Sequence, residues 1–372
     1  MAALLDRGAP KDAGIFEAAL RLGIAQLFFL PERGDHSAIH LAVETAKSDE
    51  KAKHYAALMN GVLRNAQRRR EAFDLPEASL LPGWLATRWR ENFGEAALAA
   101  MIGALIDGPA LDLTVRPDGI ERVKLMGGQH IIGDTWRLPR PPKPVFELPG
   151  YAEGEWWVQD ASAAIPARLL RVEPFHAVAD LCAAPGGKTA QLALAGGAVS
   201  AIDTSTDRLA RLAGNLQRVH LDARVKPVVG DAIAFGHDGE FDRVLLDAPC
   251  TATGIFRRHP EVIWHRKAAD IAPRAALQSR LLDNAARIVR KGGVIVYAVC
   301  SLEKEEGEEQ ASRFLARHDD FTAVPVEAEE LSGWTAPVTD EGNLRTLPGM
   351  ALPNGVEGTL DGFFAARFLR LA

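Results

Sequence analysis

The stretch that decides the fold is residues 179–189, ADLCAAPGGKT. Residues 178–182 read as a short buried strand, Gly186 and Gly187 interrupt it, and Lys188 with the apolar run behind it opens a helix. A strand that runs through glycines into a helix lets a ligand approach the backbone and meet helix N–H groups. About 20 residues further on, a second strand, VSAID, ends in Asp203, a carboxylate placed to accept hydrogen bonds from ribose hydroxyls. Together they describe a nucleoside site in a doubly wound sheet. Two phosphate-binding readings fail: a P-loop needs glycine where position 182 is Cys, and the dinucleotide pattern G-x-G-x-x-G is absent. An adenosine ligand without a pyrophosphate fits better, and S-adenosyl-L-methionine is the common one.

Downstream the chain alternates strand and helix, the signature of a parallel sheet covered on both faces. Strands are expected at 178–182, 199–203, 225–229, 242–246 and 293–299, and helices at 187–196, 207–219, 274–290 and 304–317. The closing GFFAARFLRL alternates as an antiparallel edge strand would. Ligands of such sheets lie beyond the carboxyl ends of the strands. Asp203, Asp231, the run from Asp247 to Cys250, and Cys300 all share that address.

Upstream, residues 13–73 read as amphipathic helices with a turn at Pro31-Glu32-Arg33-Gly34. Arg64, Arg68, Arg69 and Arg70 read first as a solvated helical face, with an RNA-phosphate patch as the sharper alternative. One helical segment is expected over 84–106 and a strand over 111–115. The connector LPRPPKP, 138–144, marks a boundary, and Asp160 suits the N-cap of a helix over 161–170.

Composition narrows the class. The 372 residues allow two or three domains, and 47% hydrophobic with 25% charged residues is ordinary for a globular protein. No signal peptide opens the chain and no apolar run reaches the roughly 20 residues of a membrane span. Three cysteines without metal-type spacing read as reduced thiols of a cytoplasmic protein. No metal and no membrane partner are expected, and a monomer is. A net charge of −6 leaves any nucleic-acid contact to local patches.

A single Cys at a strand end is more often packing than chemistry. Here two stand at adjacent strand ends, Cys250 in DAPCTATG and Cys300 in YAVCS. With DLCAAPGGKT, the blocks LLDAPCTATGIFRRHPEVIW and GGVIVYAVCSLEKEEGEEQ resemble the signatures of the Sun/Nop family of RNA cytosine-5 methyltransferases. LPGYAEGEWWVQDASA and DGFFAARF extend the resemblance, which is strong from about residue 148. LRLGIAQLFFL and MNGVLRNAQRR are similar to the later part of a NusB-like helical domain, here shortened.

The resemblance implies a class I, Rossmann-like α/β core with a mostly parallel seven-stranded sheet over 150–372. A linking α/β subdomain over 74–149 and the NusB-like region over 1–73 would precede it. It implies methyl transfer from S-adenosylmethionine to carbon 5 of a cytosine in RNA, small-subunit ribosomal RNA in particular. Cys300 would be the nucleophile at carbon 6, Cys250 would assist product release, and Asp247 would hold the cytosine's polar edge. The donor site would comprise Cys182, Ala183, Ala184, Pro185, Gly186, Gly187, Lys188, Asp203, Asp231 and Asp247. Cys182 would serve as a backbone contact. Lys188 has two equal readings, the donor's carboxylate or the helix surface. The reading leaves open a Cys250 nucleophile, or a non-catalytic RNA-binding factor that has kept the fold.

Arg257, Arg258, His259, His265, Arg266 and Lys267, interleaved with Phe256 and Trp264, have the composition of a crossing point for single-stranded RNA. The N-terminus of the helix over 304–317 would favour the Cys300 thiolate. Glu303, Glu305, Glu306, Glu308 and Glu309 are expected in solvent, where they favour that helix start. Two positions depart from the family pattern, Thr251 for Ser and Val299 for Thr.

Overall fold

Apolar residues at helical spacing between Phe16 and Arg68 form three helices among the described residues: α1 (Phe16–Phe29), α2 (Asp35–Ser48) and α3 (Ala56–Arg68). They close over Phe16, Leu20, Leu27, Ile39, Met59 and Leu63. Gly23 lets α1 approach α3, since an added Cβ would stand 3.0 Å from Leu63 Cδ1. The computed structural model describes residues 4–5, 8–30, 32, 34–72, 77–138 and 143–372. Pro31 and Arg33 of the expected turn, residues 73–76 at the first expected boundary and 139–142 of the proline-rich connector lie outside them. The chain divides into two units, Met1–Glu77 and Ala78–Ala372.

The second unit begins with α4 (Gly83–Phe93) and α5 (Glu95–Asp107). One segment was expected here, but Gly94 takes φ 86°, a left-handed conformation that ends the first helix and starts the second. A four-stranded antiparallel sheet in the order β2-β3-β1-β4 follows, from β1 (Leu111–Val115), β2 (Gln129–Ile132), β3 (Thr135–Leu138) and β4 (Trp156–Val158), with α6 (Ile120–Leu125) between β1 and β2. Asp160 then caps α7 (Ala161–Leu169), accepting from the Ser162 N–H.

The large sheet contains β5 (Ala177–Leu181), β6 (Ala198–Asp203), β7 (Val225–Val229), β8 (Phe241–Asp247), β9 (Val289–Val299), β10 (Phe321–Ala323), β11 (Leu344–Thr346) and β12 (Phe363–Arg370). Seven strands run in the order β10-β12-β9-β8-β5-β6-β7, with β11 paired to β12. The pairs among β5 to β9 are parallel, and β12 is antiparallel to β9. β12 is not the expected edge, because β10 and β11 cover its far side.

The connecting helices are α8 (Gly187–Leu194), α9 (Thr206–Arg218), α10 (Glu261–His265), α11 (Ile271–Ile288) and α12 (Glu308–Arg317). Strand side chains alternate between two cores. Val178, Leu245 and Val296 pack with α7, α8 and α9, whereas Leu181, Leu246 and Tyr297 pack with α11 and α12. The sheet is thereby buried on both faces, which aims its carboxyl ends at one open edge.

Candidate active site

Beyond those carboxyl ends lies a cavity of about 350 Å³, lined by strand-end residues and by Leu277 and Leu281 of α11. Asp203, Asp231 and Asp247, with Cys182, Cys250 and Cys300, all reach it. Asp203 is 3% exposed. Its carboxylate accepts from the N–H groups of Ala184 (3.3 Å) and Ser205 (3.0 Å) and lies 3.3 Å from Arg208. Two oxygens offer about four acceptor positions, so capacity remains toward the cavity. Asp231 is exposed and accepts from the Ile233 N–H at 2.9 Å, which turns the chain after β7.

The stretch between β5 and α8 divides its residues between two sides. Cys182, at φ 64°, and Ala184 line the cavity. Burial, reinforced by Asp247 and Asp203, pushes the Cys182 thiol up to about 12, so it stays protonated and acts as a spacer. Ala183 is buried in the core. Pro185, Gly186 and Gly187 line a separate cavity with Tyr151, Trp157 and Arg218. Gly186 is needed for its φ of 103° and because an added Cβ would stand 2.9 Å from Leu212; the requirement is packing rather than approach to a ligand. Lys188 is 8% exposed, so the helix-surface reading is overturned. Its ammonium donates to Asp247 at 2.7 Å and stands 4.9 Å from the centre of the Phe363 ring.

At the other end of the cavity the Sγ atoms of Cys250 and Cys300 are 3.5 Å apart. Cys250, on the loop after β8, is 9% exposed, and Cys300 directly follows β9. The hydrogen bond with Cys300, then burial, push the Cys250 thiol well above its ordinary range.

The surroundings of Cys300 differ from expectation in two respects. α12 begins at Glu308, so no helix N-terminus adjoins the thiol. Glu303 and Glu306 are fully buried instead of solvated. Glu303 accepts from Trp89 Nε1 (3.1 Å), Thr253 Oγ1 (3.2 Å) and Arg88. Glu306 accepts from the Thr251 N–H (3.0 Å), Gln278 Nε2 (2.9 Å) and two hydroxyls, those of Ser301 (2.5 Å) and Thr251. The two side chains turn inward to these donors, so residues 301–307 form a loop and the helix starts later. Val299 is buried opposite Phe364 of β12.

Residues 167–369 match the family described as 16S rRNA methyltransferase RsmB/F, and residues 3–68 match the NusB family. The ribosomal RNA small subunit methyltransferase B of Xylella fastidiosa strain 9a5c is 38% identical over 85% of this chain and 75% of its own. The probable ribosomal RNA small subunit methyltransferase B of a Synechocystis species is 33% identical over 97% of this chain and 84% of its own. The chain belongs to the RsmB/F family. It is an enzyme, an RNA methyltransferase of the S-adenosylmethionine-dependent class. A solved structure described as a methyltransferase homolog from Pyrococcus horikoshii superposes with TM-score 0.65 at 28% identity, over 80% of this chain and 98% of that one.

In this RsmB/F methyltransferase the basic stretch after Cys250 splits in two. Arg257 is 3% exposed, 3.1 Å from Asp361 and 3.6 Å from Asp160. Arg258 pairs with the same two carboxylates at 2.9 and 2.7 Å. Phe256 is fully buried and stacks on Trp89 at 5.5 Å between centroids. Arg257 and Phe256 are buried in these contacts, whereas Arg258 stays half-buried beside them. His259, Trp264 and Lys267 are exposed. Arg208, Leu277 and Gln278 were missed by the sequence reading, and Glu306 was placed in solvent. Arg208 donates to the Ala184 carbonyl at 2.6 Å, a contact without a local motif. Among the described residues no helix is long and apolar enough to cross a membrane, and no His, Cys, Asp and Glu group has metal-site form.

Proposed function

We propose that the protein methylates carbon 5 of a cytosine in small-subunit ribosomal RNA, using S-adenosylmethionine as donor and Cys300 as nucleophile. The observation that carries the reading is the 3.5 Å approach of two thiols within a cavity that also holds Asp203 and Asp231. The cavity fits the donor. Its volume, about 350 Å³, suits a nucleoside-sized ligand. Asp203 keeps acceptor capacity for ribose hydroxyls, and Gly230 leaves room, since an added Cβ would meet nothing nearer than Ile202 at 3.9 Å. The bound donor supplies an electrophilic methyl group on a sulfonium centre.

The residues of this chain do the rest. Cytosine carbon 5 is a weak nucleophile until carbon 6 is attacked, and the Cys300 thiolate forms that bond. Asp247 meets the polar edge of the ring and, held by Lys188 at 2.7 Å, favours ring protonation as the adduct forms. After methylation a base takes the carbon-5 proton, the C–H electron pair restores the carbon 5–carbon 6 double bond, and the carbon–sulfur bond breaks with its electron pair returning to the Cys300 sulfur. Cys250 is placed to protonate that departing sulfur across the 3.5 Å contact. His259, Trp264 and Lys267 offer the exposed part of an RNA path.

Replacement of each cysteine tests the assignment. Cys300→Ala should lower methyl transfer by about 1,000-fold or more and abolish any covalent RNA adduct. Cys250→Ala should still form the adduct and release it slowly, so protein–RNA conjugate accumulates on a denaturing gel. Conjugate with Cys300→Ala and none with Cys250→Ala would reverse the two roles. RNA binding without methyl incorporation by the intact protein would favour a scaffold.

A further inference from the structure

One buried carboxylate beside the thiols has no task in the chemistry above. Glu306 is fully buried, and removing a carboxylate from water is costly by several kcal/mol unless donors surround it. Its donors are not scattered. Oε1 takes the Thr251 N–H at 3.0 Å and Gln278 Nε2 at 2.9 Å, and Oε2 takes the Ser301 hydroxyl at 2.5 Å and the Thr251 hydroxyl. Thr251 directly follows Cys250, and Ser301 directly follows Cys300. Gln278 also donates to the carbonyl of Pro249, the residue before Cys250, at 3.0 Å. Main-chain bonds from Ala248 to Ala298 (2.9 Å) and from Gly254 to Cys300 (3.0 Å) tie the two loops at their outer ends. Glu306 accepts from the residues that follow both sulfurs, whose hydroxyls also meet each other at 3.0 Å, and the Tyr297 hydroxyl donates to its carbonyl at 2.5 Å.

We infer that Glu306 is a positioning residue that holds the two cysteine loops in register, so that the thiols meet at contact distance. The inference rests on reading Cys300 and Cys250 as a working pair. Register of this kind decides rate, because a misplacement of about 1 Å can lower turnover by about 100-fold. The negative charge of Glu306 has a secondary effect in the same direction, since it disfavours ionisation of Cys250 and keeps a proton available there.

Three substitutions separate geometry from charge. In Glu306→Gln the amide oxygen can face the two N–H donors while its NH2 donates to the two hydroxyl oxygens, so register survives without charge. Glu306→Ala removes the tie, and Glu306→Asp shortens it by one methylene. The direct readout is the rate of Cys250–Cys300 disulfide formation with diamide, an azo oxidant that takes two electrons and two hydrogens as the S–S bond forms. Peptide mapping identifies the bond, and no methyl transfer is needed.

The alanine and aspartate variants should cross-link about tenfold or more slowly, because disulfide geometry is narrow. Their kcat should fall about 100-fold with the KM for RNA within about threefold of wild type. Glu306→Gln should cross-link no slower than wild type and recover kcat to within about tenfold. Should Glu306→Ala fail to fold, Glu306→Asp decides on the same criteria. Wild-type cross-linking rates in the alanine or aspartate variant would overturn the inference, as would a glutamine variant as slow as either. Cross-linking that depends on Glu306 in a protein without methyl transfer would leave the inference intact and remove the proposed activity; the converse result would do the reverse.

Discussion

The two ends of one cavity are built differently. At the donor end, Asp203 closes β6 and Asp231 stands two residues past β7, so strand direction alone delivers both carboxylates to the edge of the sheet. At the thiol end, Cys250 and Cys300 sit on loops fastened by side chains: Glu306 of the loop after β9, Gln278 of α11, and Arg345 of β11, which donates to the Ser301 carbonyl at 2.6 Å. A strand end sets an address to within a residue, which suffices for a hydroxyl-binding carboxylate. Two sulfurs 3.5 Å apart need loops held more closely than strand register provides. The end proposed for the donor thus rests on strand ends, and the thiol end on buried polar bonds between loops.

That contrast can be broken by substitution. The largest effect on stability should come from Arg257, which lies between the buried carboxylates of Asp160 and Asp361. Arg257→Met leaves Arg258 to neutralise both carboxylates, and unfolding in urea should show a loss of about 3–5 kcal/mol. Weaker RNA binding at unchanged stability would mean that this stretch faces the substrate after all. A smaller effect of the opposite kind is expected from Asp203→Asn. Donor affinity, read by calorimetric titration, should fall about 10–100-fold while stability changes by under about 1 kcal/mol. A large stability loss with unchanged affinity would make Asp203 a fold residue and erase the distinction between the two ends.

How much of this was legible depended on which end is considered. The parallel strands, their order of use and the strand-end positions of Asp203, Asp231, Asp247, Cys250 and Cys300 follow from alternation and from the glycines at 186 and 187, because backbone periodicity is a local signal. Gly94 was legible in principle, as a glycine inside a helical segment, and its φ of 86° divides that segment. The buried glutamates were not. Glu306 and Thr251 are 55 residues apart, and a run of glutamates before a helix reads as a solvated start unless the donors facing it are known. The pairing of Arg257 and Arg258 with Asp361 was hidden for the same reason, since Asp361 is more than 100 positions away. The late start of α12 follows from those side chains turning inward, a tertiary effect that overrides local helix preference.

The smallest predicted effect concerns a group that belongs to neither end. Asp180 lies within β5, fully buried, with Oδ2 accepting from the Thr189 hydroxyl at 2.6 Å and Oδ1 without a hydrogen-bond partner among the described residues. Burial, opposed by the Thr189 bond and reinforced by Asp247, pushes its carboxyl up from 3.8 to about 7. Between those values the folded chain holds a proton that the unfolded chain has released. The stability associated with that proton is fully present below about pH 4 and is lost as pH rises through about 7. In Asp180→Asn the amide oxygen can still accept from Thr189, and there is no proton to lose. The stability of wild type relative to Asp180→Asn should therefore fall as pH rises from about 4 to about 8, measured by urea unfolding. Asp361, also raised to about 7, is present in both proteins and cancels in the difference. Parallel pH profiles for the two proteins would show that Asp180 ionises normally, and the loop between β5 and α8 would then rest on a charged, internally bonded residue just as the thiol loops do.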